Sequence, residues 1–347
     1  MATIDLPKTG VRIGYESIGI GSPIVLLHAF PFSREMWRPQ LEALSQSHCV
    51  MTPDFPGFGE TTFVPDITID GMADIIVDFL DGLAVHEPVA LGGCSMGGYV
   101  AFAIARRYPE RVRKLMLIDT KAEPDDTAMK AIRDKVLAGA ATLTPAKVIE
   151  DMIPRALCDL TRASKPEIVA EVRRIGAAQS LDGILAGVKA LRDHPDAVPG
   201  LAAIRVPTLV IVGEHDAITP PAGAKQTASR IVGSTYVSLP RRGPPAEPRD
   251  PRGIPRSSGE VPEYMSGTRP SALLKIGLHF ATCYANGNRR GGVWRCGSSC
   301  SSWFWKPRGC CSGRTGTSSF RGCCIGTTSR RRRAWNARLR TMAFAPW

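Results

Sequence analysis

Short apolar runs alternate with longer amphipathic stretches along the first 240 residues. Ile24 to Leu27, Cys49 to Met51, Val89 to Leu91, Leu115 to Ile118, Thr208 to Val212 and Thr235 to Leu239 are the apolar runs. Each has the length of a strand, and unbroken apolarity suits a strand buried on both faces. Between them, Ile69, Met72, Ile75, Ile76, Phe79, Leu80 and Leu83 recur at i, i+3, i+4 and i+7. That spacing predicts an amphipathic helix over 69–83. Stretches 37–44 and 98–107 have helical spacing too. The alternation predicts an α/β fold: a mostly parallel sheet with helices on both faces. Residues 122 to about 200 break the rhythm. They carry Asp125, Asp126, Lys130, Arg133, Asp134 and Lys135 and no convincing strand. They are expected to form a helical insertion, a lid at the carboxyl ends of the strands, where such sheets bind ligands.

The sharpest chemical signal is Gly93-Cys94-Ser95-Met96-Gly97, between the 89–91 strand and the 98–107 helix. In that setting G-x-S-x-G reads as a nucleophile elbow. A tight turn presents the Ser95 hydroxyl above the sheet, and the small flanking residues keep side chains from colliding. The helix that follows offers free N–H groups and a positive dipole end to a developing oxyanion. Cys94 is expected to be a small buried residue, and Asp54 a turn or packing residue.

Around this elbow lie His28-Ala29-Phe30-Pro31, the run Pro53-Asp54-Phe55-Pro56-Gly57-Phe58-Gly59-Glu60-Thr61, and Gly213-Glu214-His215-Asp216-Ala217-Ile218-Thr219-Pro220-Pro221. In this order they resemble the α/β-hydrolases, in particular small lid-bearing members such as 3-oxoadipate enol-lactonase-like hydrolases and carboxylesterases. The resemblance spans about residues 10 to 240. It implies an α/β-hydrolase fold and hydrolysis of a small-molecule carboxylic ester or lactone, with no metal or organic cofactor. It further implies that Ser95 is the nucleophile, that the backbone N–H groups of Phe30 and Met96 form the oxyanion hole, and that Asp216 is the acid. Ala29 stands where the family usually has Gly, a departure of one methyl. The acid's task is to accept the Nδ1–H of a histidine and to stabilise the imidazolium. Asp119, after an earlier strand, is the fallback position for it.

The base itself is missing. It should follow the 235–239 strand in a segment such as Gly-x-Gly-His, but the chain reads Leu239-Pro240-Arg241-Arg242-Gly243-Pro244-Pro245. Composition changes at the same point. Residues 241–347 hold 20 Lys and Arg, 18 of them Arg, against 4 Asp and Glu. The first 240 residues hold 24 against 28, so the net charge of +12 is a property of the tail. Seven of the ten cysteines lie beyond residue 280. Cys310-Cys311 and Cys323-Cys324 are adjacent pairs, poorly suited to one tetrahedral metal. The tail lacks period 2 or 3.6 and is expected to stay disordered. Nucleic-acid binding by this basic segment would be non-specific, since no binding fold accompanies it.

Arg, Gly, Pro, Ser, Cys and Trp are what a GC-rich gene yields in a wrong frame. Residues 241–265 can be encoded so that a one-base shift spells Gly-Ala-Gly-His-Leu-Pro, then an amphipathic helix and a stop. The tail is therefore read as frameshifted. No run of 18 apolar residues exists, and the N-terminus lacks the basic and apolar segments of a secretory signal. A cytoplasmic protein is expected. An acyltransferase or C–C hydrolase of the same fold, and a non-catalytic relative, are the alternatives.

Overall fold

The computed structural model describes residues 2–240. Eight strands form one sheet in the order β1-β2-β4-β3-β5-β6-β7-β8. The strands are β1 (Ala2–Asp5), β2 (Arg12–Ile18), β3 (Ser22–Leu27), β4 (His48–Pro53), β5 (Val89–Cys94), β6 (Val112–Ile118), β7 (Thr208–Gly213) and β8 (Thr235–Leu239). From β4 to β8 every pairing is parallel, whereas β1 and β2 are antiparallel to each other and β2 to β4.

Alternation along the strands divides the buried side chains between two faces. Val25, Leu27, Leu91, Leu115, Leu117 and Val210 join the large core that α2 (Ile69–Gly82) and α3 (Met96–Arg107) complete. Ile24, Leu26, Val50, Met116, Leu209 and Ile211 face the other way and are equally buried. On that side α1 (Arg38–Ser45) packs against β4. Burial on both faces explains why these strands read as unbroken apolar runs. α2 starts where Thr68 accepts the Gly71 N–H at 3.0 Å, a side-chain cap.

The expected insertion is helical throughout. α4 (Thr127–Ala138), α5 (Pro145–Ala156), α6 (Asp159–Ser164), α7 (Pro166–Ala177) and α8 (Leu181–Arg192) lie between β6 and β7. The insertion closes on itself at its base, where Ala197 N–H donates to the Ala122 carbonyl at 2.9 Å. Gly59 N–H donates to Gln179 Oε1 at 2.8 Å and Ser180 Oγ donates to the Gly57 carbonyl at 2.9 Å. These bonds tie the insertion to the loop after β4. α9 (Pro221–Arg230) then leads to β8. No helix among the described residues is long and apolar enough to cross a membrane. The tail readings on residues 241–347 lie outside the described residues.

Candidate active site

Ser95 sits between β5 and α3 with φ 50° and ψ −113°. A side chain in this region of backbone space is strained, and the surrounding bonds hold it there. Ser95 N–H donates to the Ile118 carbonyl at 3.0 Å. Its own carbonyl accepts from Gly98 N–H at 2.8 Å and from Thr120 Oγ at 3.0 Å. The turn is too tight for side chains on either side. A Cβ on Gly93 would lie 2.1 Å from the Gly97 carbonyl oxygen, and one on Gly97 2.3 Å from that of Leu27. Met96 N–H belongs to the first turn of α3, where backbone donors lack intrahelical acceptors.

The loop after β3 brings Phe30 to the same place. Its core is His28, fully buried, whose Nδ1–H donates to the Ala29 carbonyl at 3.0 Å while Nε2 accepts from Phe55 N–H at 2.9 Å. Burial pushes its pKa down to about 4, so the ring is neutral and serves as a strut. The loop continues into Arg34, which is buried against Asp54. Arg34 N–H also donates to Asp54 Oδ1 at 2.6 Å, and the guanidinium reaches Glu60 at 2.6 Å. Burial pushes the Asp54 carboxyl up to about 6 against the pull of Arg34. Asp54, expected to be a turn or packing residue, is thus a buried anchor that ties the loop after β3 to the loop after β4. Among the described residues no acceptor hydrogen-bonds the Phe30 N–H.

Asp216 lies in the loop after β7, half-buried. Its Oδ1 accepts from Ile218 N–H at 2.8 Å and Thr219 N–H at 2.9 Å, and its Oδ2 from Thr219 Oγ at 2.5 Å. Asp119 follows β6 with φ 43°. Burial, then the charge of Asp216, push its carboxyl up to about 7. Burial and the same two carboxylates push the Cys94 thiol up, so it stays protonated and inert as a small core residue.

Phe30, Ser95, Asp119 and Asp216 all line one cavity of about 460 Å³. The insertion supplies the opposite wall, with Arg133, Met152, Leu157 and Cys158 among its residues. Sequence reasoning missed these, because nothing in the spacing of a lid helix tells which turn faces the sheet. Arg133 is held by Asp125, whose other partner is Lys121 at 2.9 Å. Leu239 and Pro240 also line the cavity, so the chain leaves β8 beside it. Of the described histidines only His215 borders this space. His194 stacks on Tyr99 at 4.2 Å, with its ring nitrogens against the Leu191 and Glu123 carbonyls. His279 lies outside the described residues. Among the described residues no group of His, Cys, Asp and Glu forms a metal-holding cluster.

The family model described as the alpha/beta hydrolase fold matches residues 22–243, more than half of the chain. The chain belongs to that family. It is 30% identical over 225 residues to a pimeloyl-[acyl-carrier protein] methyl ester esterase of Neisseria meningitidis, covering 62% of this chain and 83% of that protein. A thermophilic esterase from Thermogutta terrifontis superposes with a TM-score of 0.66 at 36% identity, over 69% of this chain and 89% of that one. The enol-lactonase from Burkholderia xenovorans does so with a TM-score of 0.64 at 26% identity, over 69% and 91%. The family match ends close to where the described residues end.

Proposed function

We propose that the chain is a serine hydrolase for a carboxylic ester or lactone, impaired because its triad histidine is absent. The observation that carries this reading is the strained turn that presents Ser95 to the cavity shared with Phe30 and Asp216. In the reaction, Ser95 Oγ attacks the substrate carbonyl. The N–H groups of Phe30 and Met96 receive the oxyanion, in a preformed site where such donors need no reorganisation. A base must take the Ser95 proton and return it to the leaving oxygen. Asp216 is the acid that would orient such a base and stabilise its charged form. The esterase and enol-lactonase relatives support an ester or lactone as the substrate class. The base is lost with the reading frame after Leu239. The composition break and the end of the family match near residue 243 support that account.

The expected activity is low. Without a triad member, catalysis falls to what the oxyanion hole and binding supply, roughly 10³ to 10⁴ over water. Exogenous imidazole can stand in for the missing base. Turnover of p-nitrophenyl acetate should rise with imidazole beyond the rate imidazole gives in solution, and Ser95→Ala should remove that excess. Equal turnover by Ser95→Ala and the unaltered chain would contradict the proposal. His215 borders the cavity, so His215→Ala is the necessary companion. If ordinary turnover exists without imidazole and vanishes in that variant, His215 is the base and the chain is not impaired. Sequencing the gene through the codons for 237–242 tests the frame directly.

A further inference from the structure

Asp119 has no part in the reaction as written, yet it is the acid set deepest in the site. Its N–H donates to the Ile211 carbonyl at 2.9 Å, and its Oδ1 accepts from Gly213 N–H at 2.9 Å. The side chain is therefore clamped between the carboxyl ends of β6 and β7. Gly213 links the two acids, because its carbonyl accepts the Asp216 N–H at 3.1 Å, and both acids line the same cavity, which makes Asp216 the charged neighbour of Asp119. Two neighbouring carboxylates partly withdrawn from water do not both ionise readily, and one proton is shared between them. The donors decide where the charge stays. Asp216 receives Ile218 N–H, Thr219 N–H and the Thr219 hydroxyl, whereas Asp119 receives Gly213 N–H. The better-solvated carboxylate is Asp216, so the proton belongs on Asp119.

We propose that Asp119 is a positioning residue of the Ser95 site: as a neutral acid it donates its O–H to the Asp216 carboxylate, fixing that group and leaving one negative charge to orient the base. The proposal rests on the reading of Asp216 as the triad acid. The upward push on Asp119, to about 7, agrees with it. The groups facing the same space do not supply an alternative neutraliser. Cys94 from β5 and Tyr99 from α3 are both pushed up by burial first and stay protonated. Arg133 from α4 is taken by Asp125. Asp159 of α6 lines the space and pairs with Arg162 at 2.5 Å. Arg155, from α5, lies on the exposed rim, as do Glu214 and His215 from the β7 loop. Above a pH of about 7 Asp119 loses its proton. The donor then becomes a like charge, and repulsion between the carboxylates moves Asp216 out of register.

Infrared spectroscopy of the full chain, with aspartate carboxyls carbon-13 labelled, reads this without turnover. At about pH 6 the protonated-carboxyl band of the unaltered chain should exceed that of Asp119→Asn by one group. In Asp216→Asn the titration of that band should move to lower pH, because the neighbouring charge is gone. Asparagine keeps the acceptor for Gly213 N–H and a donor toward Asp216, so Asp119→Asn also imitates the protonated state. Imidazole-supported ester turnover should accordingly lose its decline above pH 7 in Asp119→Asn while the unaltered chain keeps it. An undiminished band in Asp119→Asn, an unmoved titration in Asp216→Asn, or an unchanged alkaline decline would each overturn the proposal. Should Asp119→Asn fail to fold, the Asp216→Asn titration still decides. If the band behaves as expected but turnover is independent of Ser95, the hydrolase reading fails and the shared proton stands.

Discussion

Arg34 has its guanidinium sunk in the protein beside Asp54, with Glu60 at the rim. Such a pair gains little over an apolar replacement of both partners, but removing one partner leaves a buried charge uncompensated. Arg34→Met should therefore cost about 3–5 kcal/mol. The double variant Arg34→Met with Asp54→Asn should cost less than Arg34→Met alone. Urea unfolding of the three proteins checks the order. Because this anchor supports the loop that carries Phe30, the single variant should also lose imidazole-supported ester turnover. Little of this was legible in advance. Asp54 and Arg34 are far apart in the chain, and each alone resembles an ordinary loop residue. The turns that carry Ser95 and Asp216 were legible because glycines and flanking strands mark them, and the loop that carries Phe30 because it follows the β3 run. The placement of Phe30, Ser95 and Asp216 around one cavity follows from the parallel order of β3, β5 and β7.

At the scale of elements, the elbow joins β5 to α3 through atoms that have no room to spare. A Cβ on Gly97 would meet the backbone of β3, which cannot swing aside as a flexible side chain could. Gly97→Ala should cost about 1–3 kcal/mol, the usual range for overpacking, and lower the urea midpoint. An unchanged midpoint would mean that β3 and α3 separate freely. The apolar runs located β3 to β8, but several strands extend beyond them. β5 continues through Gly92, Gly93 and Cys94, and β4 begins at His48. Those residues are held by pairing with their neighbours, so apolarity does not reveal them. β1 and β2 went unseen for a related reason. They form the antiparallel edge, and the pattern of β1 is mostly exposed. The helix read at 98–107 begins at Met96, because the turn of α3 closes directly on Ser95. α9, built of small and polar residues, has no apolar stripe to announce it.

For the molecule as a whole, Asp54 and Asp119 pull its stability one way with pH, and the buried His28 pulls it the other way below its ordinary value of 6.5. Asp54 and Asp119 sit at about 6 and about 7, against an ordinary value of 3.8. The folded state therefore holds their protons after the unfolded chain has lost them. Their contribution to stability is present in full below pH 3.8 and is lost as pH rises through 6 and 7. His28, held down near 4, acts in the opposite sense but gains nothing further once pH exceeds its ordinary value of 6.5. Calorimetry between about pH 6.5 and pH 8 should therefore show the melting temperature falling, with a smaller fall in Asp119→Asn. A slope unaffected by that substitution would contradict the linkage. The closed base of the insertion, where Ala197 bonds to Ala122, bears on how such a protein can change over generations. The insertion leaves and rejoins the sheet at one gate. Residues gained or lost beyond that gate need not alter the spacing of β6 and β7. The cavity wall supplied by the insertion can thus be rewritten in length and shape while the turn bearing Ser95 is inherited intact.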